Sequence, residues 1–334
     1  MVKPTIFKLL SWQATLSALV ILLSIPSGCS KKSETPLRIG INSWPGYEFL
    51  YLAQEKGFYR EESLDVKLLE FNSLSDARRA YERGQIDGLG TSVIDILQAR
   101  ESSARSPQVV QVIDYSNGAD TILAHTRIKD GSALRGSHIG VEFGSLGIYV
   151  LARGLETFGL TLADVKLISL DQISMEEALS QGTLDAIVSY PPTSIKLLRD
   201  AKVKTLFDTS DIPGEVVDVI AVDEQIINQR TSEVSKLLRA YQKAVQYTQQ
   251  NPDEAYRIMS AREGITVDEF RKSMHDGMHI VTQAEQAGFL MPGGKLEKVI
   301  DMSDRILRLT GQINGPDRRT DLATDRFVIN GELN

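Results

Sequence analysis

Short apolar runs alternate with amphipathic stretches through the first two thirds of the chain. The runs at 39–41, 66–69, 139–141 and 165–168 are too short for helices and rich in β-branched residues, so they predict strands. Between them, residues 73–83 set Leu74, Ala77 and Tyr81 on one helical face, and residues 145–158 do so with Leu146, Tyr149/Val150 and Leu155. Strands apolar on both faces that alternate with such helices imply parallel sheets joined by right-handed crossovers.

The pattern also repeats. Ile39-Gly40-Ile41, Asp65-Val66-Lys67-Leu68 and Gly84-Gln85-Ile86-Asp87 recur about 100 residues later as Ile139-Gly140-Val141, Asp164-Val165-Lys166-Leu167 and Gly182-Thr183-Leu184-Asp185. Beyond residue 223 the periodicity is helical only, over 233–249, 252–259, 267–274 and 295–309. Strand-like stretches at 114–124 and 215–222 flank the second unit and read as a pair of crossings between two bodies. The expected fold is therefore α/β, with two mixed or parallel sheets, a two-strand hinge and a helical C-terminal tail. Residues 37–116 and 219–334 would form a discontinuous first lobe, and 117–218 the second.

Composition narrows the class without changing that picture. The chain has 334 residues, of which 42% are hydrophobic and 24% charged, which excludes disordered, collagen-like and multi-pass membrane proteins. A net charge of -7 offers no basic footprint for nucleic acid. Cys29 is the single cysteine, so no disulfide framework, zinc ribbon or Cys-x-x-Cys site is possible. No cofactor or metal is expected.

The first 28 residues carry Lys3 and Lys8 and then an apolar run that closes on Ser27-Gly28-Cys29. This resembles a bacterial lipoprotein signal, with Pro26 where leucine is usual. The resemblance implies lipidation of Cys29, a tether over 29–36, and a monomer held by its lipid at a membrane surface, in the periplasm or at the cell surface.

In open sheets ligands sit at the carboxyl ends of the strands, beside helix N-termini. The loops at those ends hold Ser43, Trp44, Tyr47 and Glu48, then Thr91 and Ser92, then Gly144, Ser145 and Leu146, and then Tyr190. The crossing segments add Asp114, Ser116, Asp120, Glu215 and Asp218. Trp44 lies in Ser-Trp-Pro-Gly-Tyr, a turn expected to put it at a loop tip where it meets ligand.

Gly40-Ile-Asn-Ser-Trp-Pro-Gly-Tyr-Glu48 resembles the first motif of periplasmic substrate-binding proteins of the nitrate/sulfonate/taurine class of ABC importers, which includes thiamine-precursor binders. Gly140-Val-Glu-Phe-Gly-Ser145, Ser189-Tyr-Pro-Pro192 and Asp211-Ile-Pro-Gly-Glu-Val-Val-Asp218 extend the likeness to residues 36–310. It implies a clamshell that closes on one small molecule and hands it to a membrane permease driven by an ATPase.

The cleft carboxylates Glu48, Asp114, Asp120, Glu142, Glu215 and Asp218, with no Lys or Arg in the motif loops, speak against bare nitrate or bicarbonate. Ser92 and Ser145 open helices and can offer backbone N–H to an anionic group. An amine-bearing sulfonate such as taurine, or an amine-bearing heteroaromatic such as a thiamine pyrimidine precursor, satisfies both tendencies. Trp44, Tyr47 and Tyr190 supply stacking faces. Two other outputs stay open: presentation of the bound form to a membrane sensor, and catalysis like that of the related fungal pyrimidine-synthesising enzymes. Against catalysis, Ser145 lacks a Gly-x-Ser-x-Gly elbow, and His275 and His279, read as one helical face, lack a Glu and a third ligand.

Overall fold

The repeat folds as two sheets built to one plan. In the computed structural model, which describes residues 35–328, the chain first lays down β1 (Leu37–Asn42), β2 (Val66–Phe71), β3 (Gly88–Ser92) and β4 (Pro107–Ser116). It then makes β5 (Thr121–His125), β6 (His138–Val141), β7 (Lys166–Ser169), β8 (Ala186–Ser189) and β9 (Val203–Asp208). Finally it returns through β10 (Val217–Asp223) and β11 (Met278–Ile280). The first sheet runs β11-β4-β10-β3-β1-β2 and the second β7-β6-β8-β5-β9. The signal-like segment and Cys29 lie outside the described residues. No helix among the described residues is long and apolar enough to cross a membrane.

Equivalent strands occupy equivalent places. β1 pairs in parallel with β2 and β3, and β6 pairs in parallel with β7 and β8. Each parallel triplet then takes an antiparallel neighbour, β10 beside β3 and β5 beside β8. Those two strands are exchanged along the chain: β5 follows the first sheet's β4, and β10 comes only after the second sheet is complete. The sheets are thus mixed, not purely parallel.

Two local expectations need correction. The strand-like stretch 114–124 is two strands, because Gly118 at φ 119 turns the chain between β4 and β5. The C-terminal region is not helical throughout, since β11 adds an antiparallel edge strand against β4. His275 and His279 therefore do not share a helix face: the helix Val267–Asp276 ends between them. His279, on β11, stacks on Tyr115 at 4.8 Å instead.

Helices cover both faces of the first sheet. Leu37, Ile39 and Ile41 of β1 are buried, as are Leu237, Leu238 and Tyr241 of the helix Thr231–Gln250. Burial of each such side chain contributes roughly 1.5–3 kcal/mol. Ser73 caps the helix Leu74–Glu82 by accepting from Asp76 N–H, and Ser145 caps Leu146–Thr157 by accepting from Gly147 N–H. These two starts point the ends of β2 and β6 toward the same cleft.

Candidate functional site

The carboxyl ends of β1 and β3 in the first sheet, and of β6 and β8 in the second, face each other across a nearly closed cavity of about 10 Å³. Its walls are Asn42, Trp44, Tyr47, Leu74, Asp120, Leu146, Tyr190 and Asp218. That is smaller than ordinary small-molecule pockets of ~300–1,000 Å³. The two halves touch around it: Asn42 Nδ2 donates to the Tyr190 hydroxyl at 3.3 Å, and Arg78 Nε donates to the Gly144 carbonyl at 3.2 Å.

The floor is a carboxyl pair, of which Asp218 lines the cavity and Asp114 is buried behind it. Asp114 of β4 and Asp218 of β10 are directly opposed in the antiparallel register, so their side chains emerge together. Both are buried, as is Asp120. Burial, and then the Asp114 charge, push the Asp218 carboxyl far above the ordinary carboxylate range. Burial lifts Asp114 and Asp120 to about 7 each. Tyr47 donates its hydroxyl to Asp218 Oδ1 at 2.5 Å, and Trp44 Nε1 donates to Asp114 Oδ2 at 3.2 Å. Gly46 permits this arrangement, because a Cβ there would fall 1.9 Å from Asp114 Oδ2.

What the floor lacks is a cation. Among the described residues, the charges that act most on Asp114 and Asp218 are those of other aspartates. Asp114 Oδ1, Asp120 Oδ2 and Asn42 Oδ1 are buried without a hydrogen-bond donor. Buried carboxylates normally have such partners, so these oxygens form an acceptor surface that a ligand's N–H groups can complete.

Above the floor, Trp44 and Tyr190 meet edge to face with ring centroids 6.1 Å apart, and Tyr47 lies 6.5 Å from Trp44. The expectation of Trp44 at an exposed loop tip is corrected: it is 4% exposed and belongs to the hydrophobic core. The Pro45–Tyr47 turn folds inward because the indole N–H has a buried acceptor in Asp114.

The remaining sequence-derived positions divide. Thr91 is buried with an unpartnered hydroxyl at the end of β3, and Ser92 caps the helix Val93–Ser102. Ser116 bonds Thr209 Oγ1 at 2.6 Å and receives the Asp120 N–H, which steadies the turn between the sheets. Ser43 is half-buried and accepts from Asn42 Nδ2 at 3.1 Å. Gly144 sits against the Arg78 guanidinium at φ 67, a backbone conformation that residues with side chains rarely adopt. Ser145 caps its helix and donates to the Glu142 carbonyl at 3.3 Å.

Two expected cleft carboxylates point elsewhere. Glu215 takes a forked pair from Arg153 at 2.8 and 2.9 Å, plus the Tyr149 hydroxyl at 2.8 Å. Glu48 accepts from Arg262 Nε at 2.9 Å beside Glu263 and Glu70, on the side of its helix away from the cavity wall. Burial raises Glu48 to about 7 and would raise it further without Arg262. Arg262→Ala is therefore expected to cost about 2 kcal/mol in urea unfolding by stranding Glu48 and Glu263. Ligand affinity, measured in parallel, should change less than twofold.

Asn42, Leu74 and Asp95 were not foreseen. Asn42 is the last residue of β1, one position before the loop in which cleft residues were sought. Asp95 has the look of a first-turn helix acid. Its Oδ2 does accept the Ser92 hydroxyl at 2.5 Å, but the backbone N–H of Leu146, from the opposite half, also faces its carboxylate. The helix start expected to hold an anionic ligand group is served by the protein's own acid. Among the described residues no group of three His, Cys, Asp or Glu is placed to hold a metal ion.

The NMT1/THI5-like family model matches residues 44–255. A "Putative binding protein" of Brucella abortus is 22% identical over 312 residues, covering 88% of this chain and 97% of that protein. A 4-amino-5-hydroxymethyl-2-methylpyrimidine phosphate synthase of Aspergillus parasiticus is 24% identical, over 64% of this chain and 66% of the enzyme. Among solved structures, the alkanesulfonate-binding protein SsuA from Xanthomonas axonopodis pv. citri bound to MOPS superposes with a TM-score of 0.75 at 17% identity, over 86% of this chain and 97% of that one. The fold is that of periplasmic binding proteins.

Proposed function

The chain belongs to the NMT1/THI5-like family, and from that premise we propose that it is a solute-binding protein whose cargo is a small, amine-bearing aromatic molecule. One observation carries the reading: a buried cluster of Asp114, Asp120 and Asp218 with no cation beside it, in which Asp114 and Asp120 each keep an unpartnered oxygen, next to the rings of Trp44, Tyr47 and Tyr190. A protonated amine or the N–H edge of a heteroaromatic ring supplies the missing donors, while the aromatic side chains cover its ring. The fungal synthase among the relatives acts in pyrimidine chemistry, which is consistent with a nitrogen heteroaromatic. A sulfonate is disfavoured, because Asp95 stands at the helix start where its anion would sit.

Binding works by closure. Asp114, Asp218, Trp44 and Tyr47 come from the first sheet and its loops, and Tyr190 and Leu146 from the second. A ligand between them favours the closed form only through contacts that the open form lacks. The segments 117–120 and 209–216 carry the bending. In the cell, this reading places the protein outside the cytoplasm, held by lipid at Cys29, delivering cargo to a permease and ATPase.

The test is a thermal-shift panel on the full chain with benzylamine, 4-aminopyrimidine, taurine and nitrate. The two amines should stabilise, by about 2.7 kcal/mol at a hundred times Kd. Stabilisation by taurine or nitrate, with none by either amine, would overturn the reading.

A further inference from the structure

A second pair of acids lies beyond the floor, and it is divided between the two halves. Asp95, on the helix after β3, is fully buried and belongs to the first half; Glu142, at the end of β6, is 5% exposed and belongs to the second. Each has a nearby donor, and the Leu146 N–H of the second half also faces the Asp95 carboxylate. Asp95 Oδ2 accepts from Ser92, and Glu142 Oε2 lies 3.5 Å from Ser145 Oγ. Each leaves the other oxygen, Asp95 Oδ1 and Glu142 Oε1, buried with no donor.

Like charges that approach across a closing interface oppose closure unless a proton or a cation neutralises one of them. The charges acting on Glu142 are those of Asp95, Asp171 and Asp76, all negative. Arg78 moderates Asp95 from a distance, but its guanidinium is committed to the Gly144 carbonyl, Glu82 and Ser102. The pair is also close to the cavity. The Tyr190 hydroxyl, part of the cavity wall, feels the charges of Glu142, Asp120 and Asp95 together.

We infer that Asp95 and Glu142 form a second cation subsite, completed only when the halves meet, and that the cargo is dibasic: one basic nitrogen on the Asp114–Asp120–Asp218 floor and a second bridging Asp95 to Glu142. This rests on the amine reading above and deepens it. The second nitrogen replaces the proton on Glu142 with a bridge across the interface, so it links recognition to closure. A monoamine fills the floor but leaves Glu142 protonated and the divided pair unbridged.

The experiment compares benzylamine with 1,3- and 1,4-bis(aminomethyl)benzene by isothermal titration of the full chain at neutral pH, in buffers of different ionisation enthalpy. At least one diamine should bind tenfold or more tighter than benzylamine and release more protons, because a bridging cation drives the proton from Glu142. Glu142→Gln and Asp95→Asn should each bring the ratio of diamine to monoamine affinity near one. Glu142→Gln keeps shape and local hydrogen bonding, so it remains informative if Asp95→Asn, which also touches a helix cap, does not fold. Benzylamine binding with no diamine advantage overturns the dibasic inference and leaves the amine reading standing. A diamine advantage that survives in a folded Glu142→Gln chain overturns it too. Failure of every amine to bind removes both.

Discussion

Trp44→Ala is expected to weaken amine binding at least a hundredfold and to lower stability by about 3–5 kcal/mol. The two losses have one origin. The indole fills core space, covers the cavity, and gives its N–H to Asp114 at 3.2 Å. Truncation opens a void and leaves the floor carboxylate with one donor fewer, a cost of about 1–3 kcal/mol by itself. Trp44→Phe separates these contributions: it retains most of the packing and loses only the donor, so its unfolding midpoint should fall between the other two. Urea unfolding with titration calorimetry on the three chains decides the matter. An unchanged midpoint for Trp44→Ala would show that the inward turn carries no packing energy.

Ligand-free stability should fall as pH rises from 5 to 8, the reverse of acid denaturation. Burial lifts Asp95 to about 6, Asp114 and Asp120 to about 7, and Glu142 to about 8. In the unfolded chain these groups ionise near 4. A carboxyl raised on folding contributes stability that is complete below its unfolded value and lost as pH passes its folded value. Between these limits the folded chain binds more protons, and each such proton lowers stability by about 1.4 kcal/mol per pH unit. The melting temperature should drop by at least ~5 °C over that window. A protonated amine substitutes for the protons, so saturating benzylamine should reduce the drop to less than half. Benzylamine affinity should itself rise with pH while the amine stays charged. A flat or rising ligand-free curve would mean the buried acids are compensated by something other than protons.

The architecture was legible because it rests on period and repetition. The 100-residue offset between Ile39-Gly40-Ile41 and Ile139-Gly140-Val141 is the offset between β1 and β6, and the amphipathic faces at 73–83 and 145–158 become the helices Leu74–Glu82 and Leu146–Thr157. β11 was missed because three residues, Met278–Ile280, give no readable alternation and pair only through an edge 160 residues away. The site was legible as a set of loops but not as a set of directions. Glu48 and Asp218 look alike in sequence. One turns to Arg262 on a helix built two hundred residues later, and the other is fixed by its register opposite Asp114. Asp95 was hidden by its ordinary role, since a first-turn acid after Ser92 needs no further explanation until Leu146 is placed against it.

The exchange of β5 and β10 between the sheets has a consequence for how the molecule is made. A chain emerging from its N-terminus can assemble β5 to β9 without interruption, because all five strands are consecutive. The other sheet waits for Val217–Asp223 to wedge between β3 and β4, closing a loop of about a hundred residues at an entropic cost that a local hairpin avoids. That late strand brings Asp218. The carboxyl floor is thus among the last parts of the polypeptide to acquire its native neighbours, and a chain released before residue 218 is in place cannot form it.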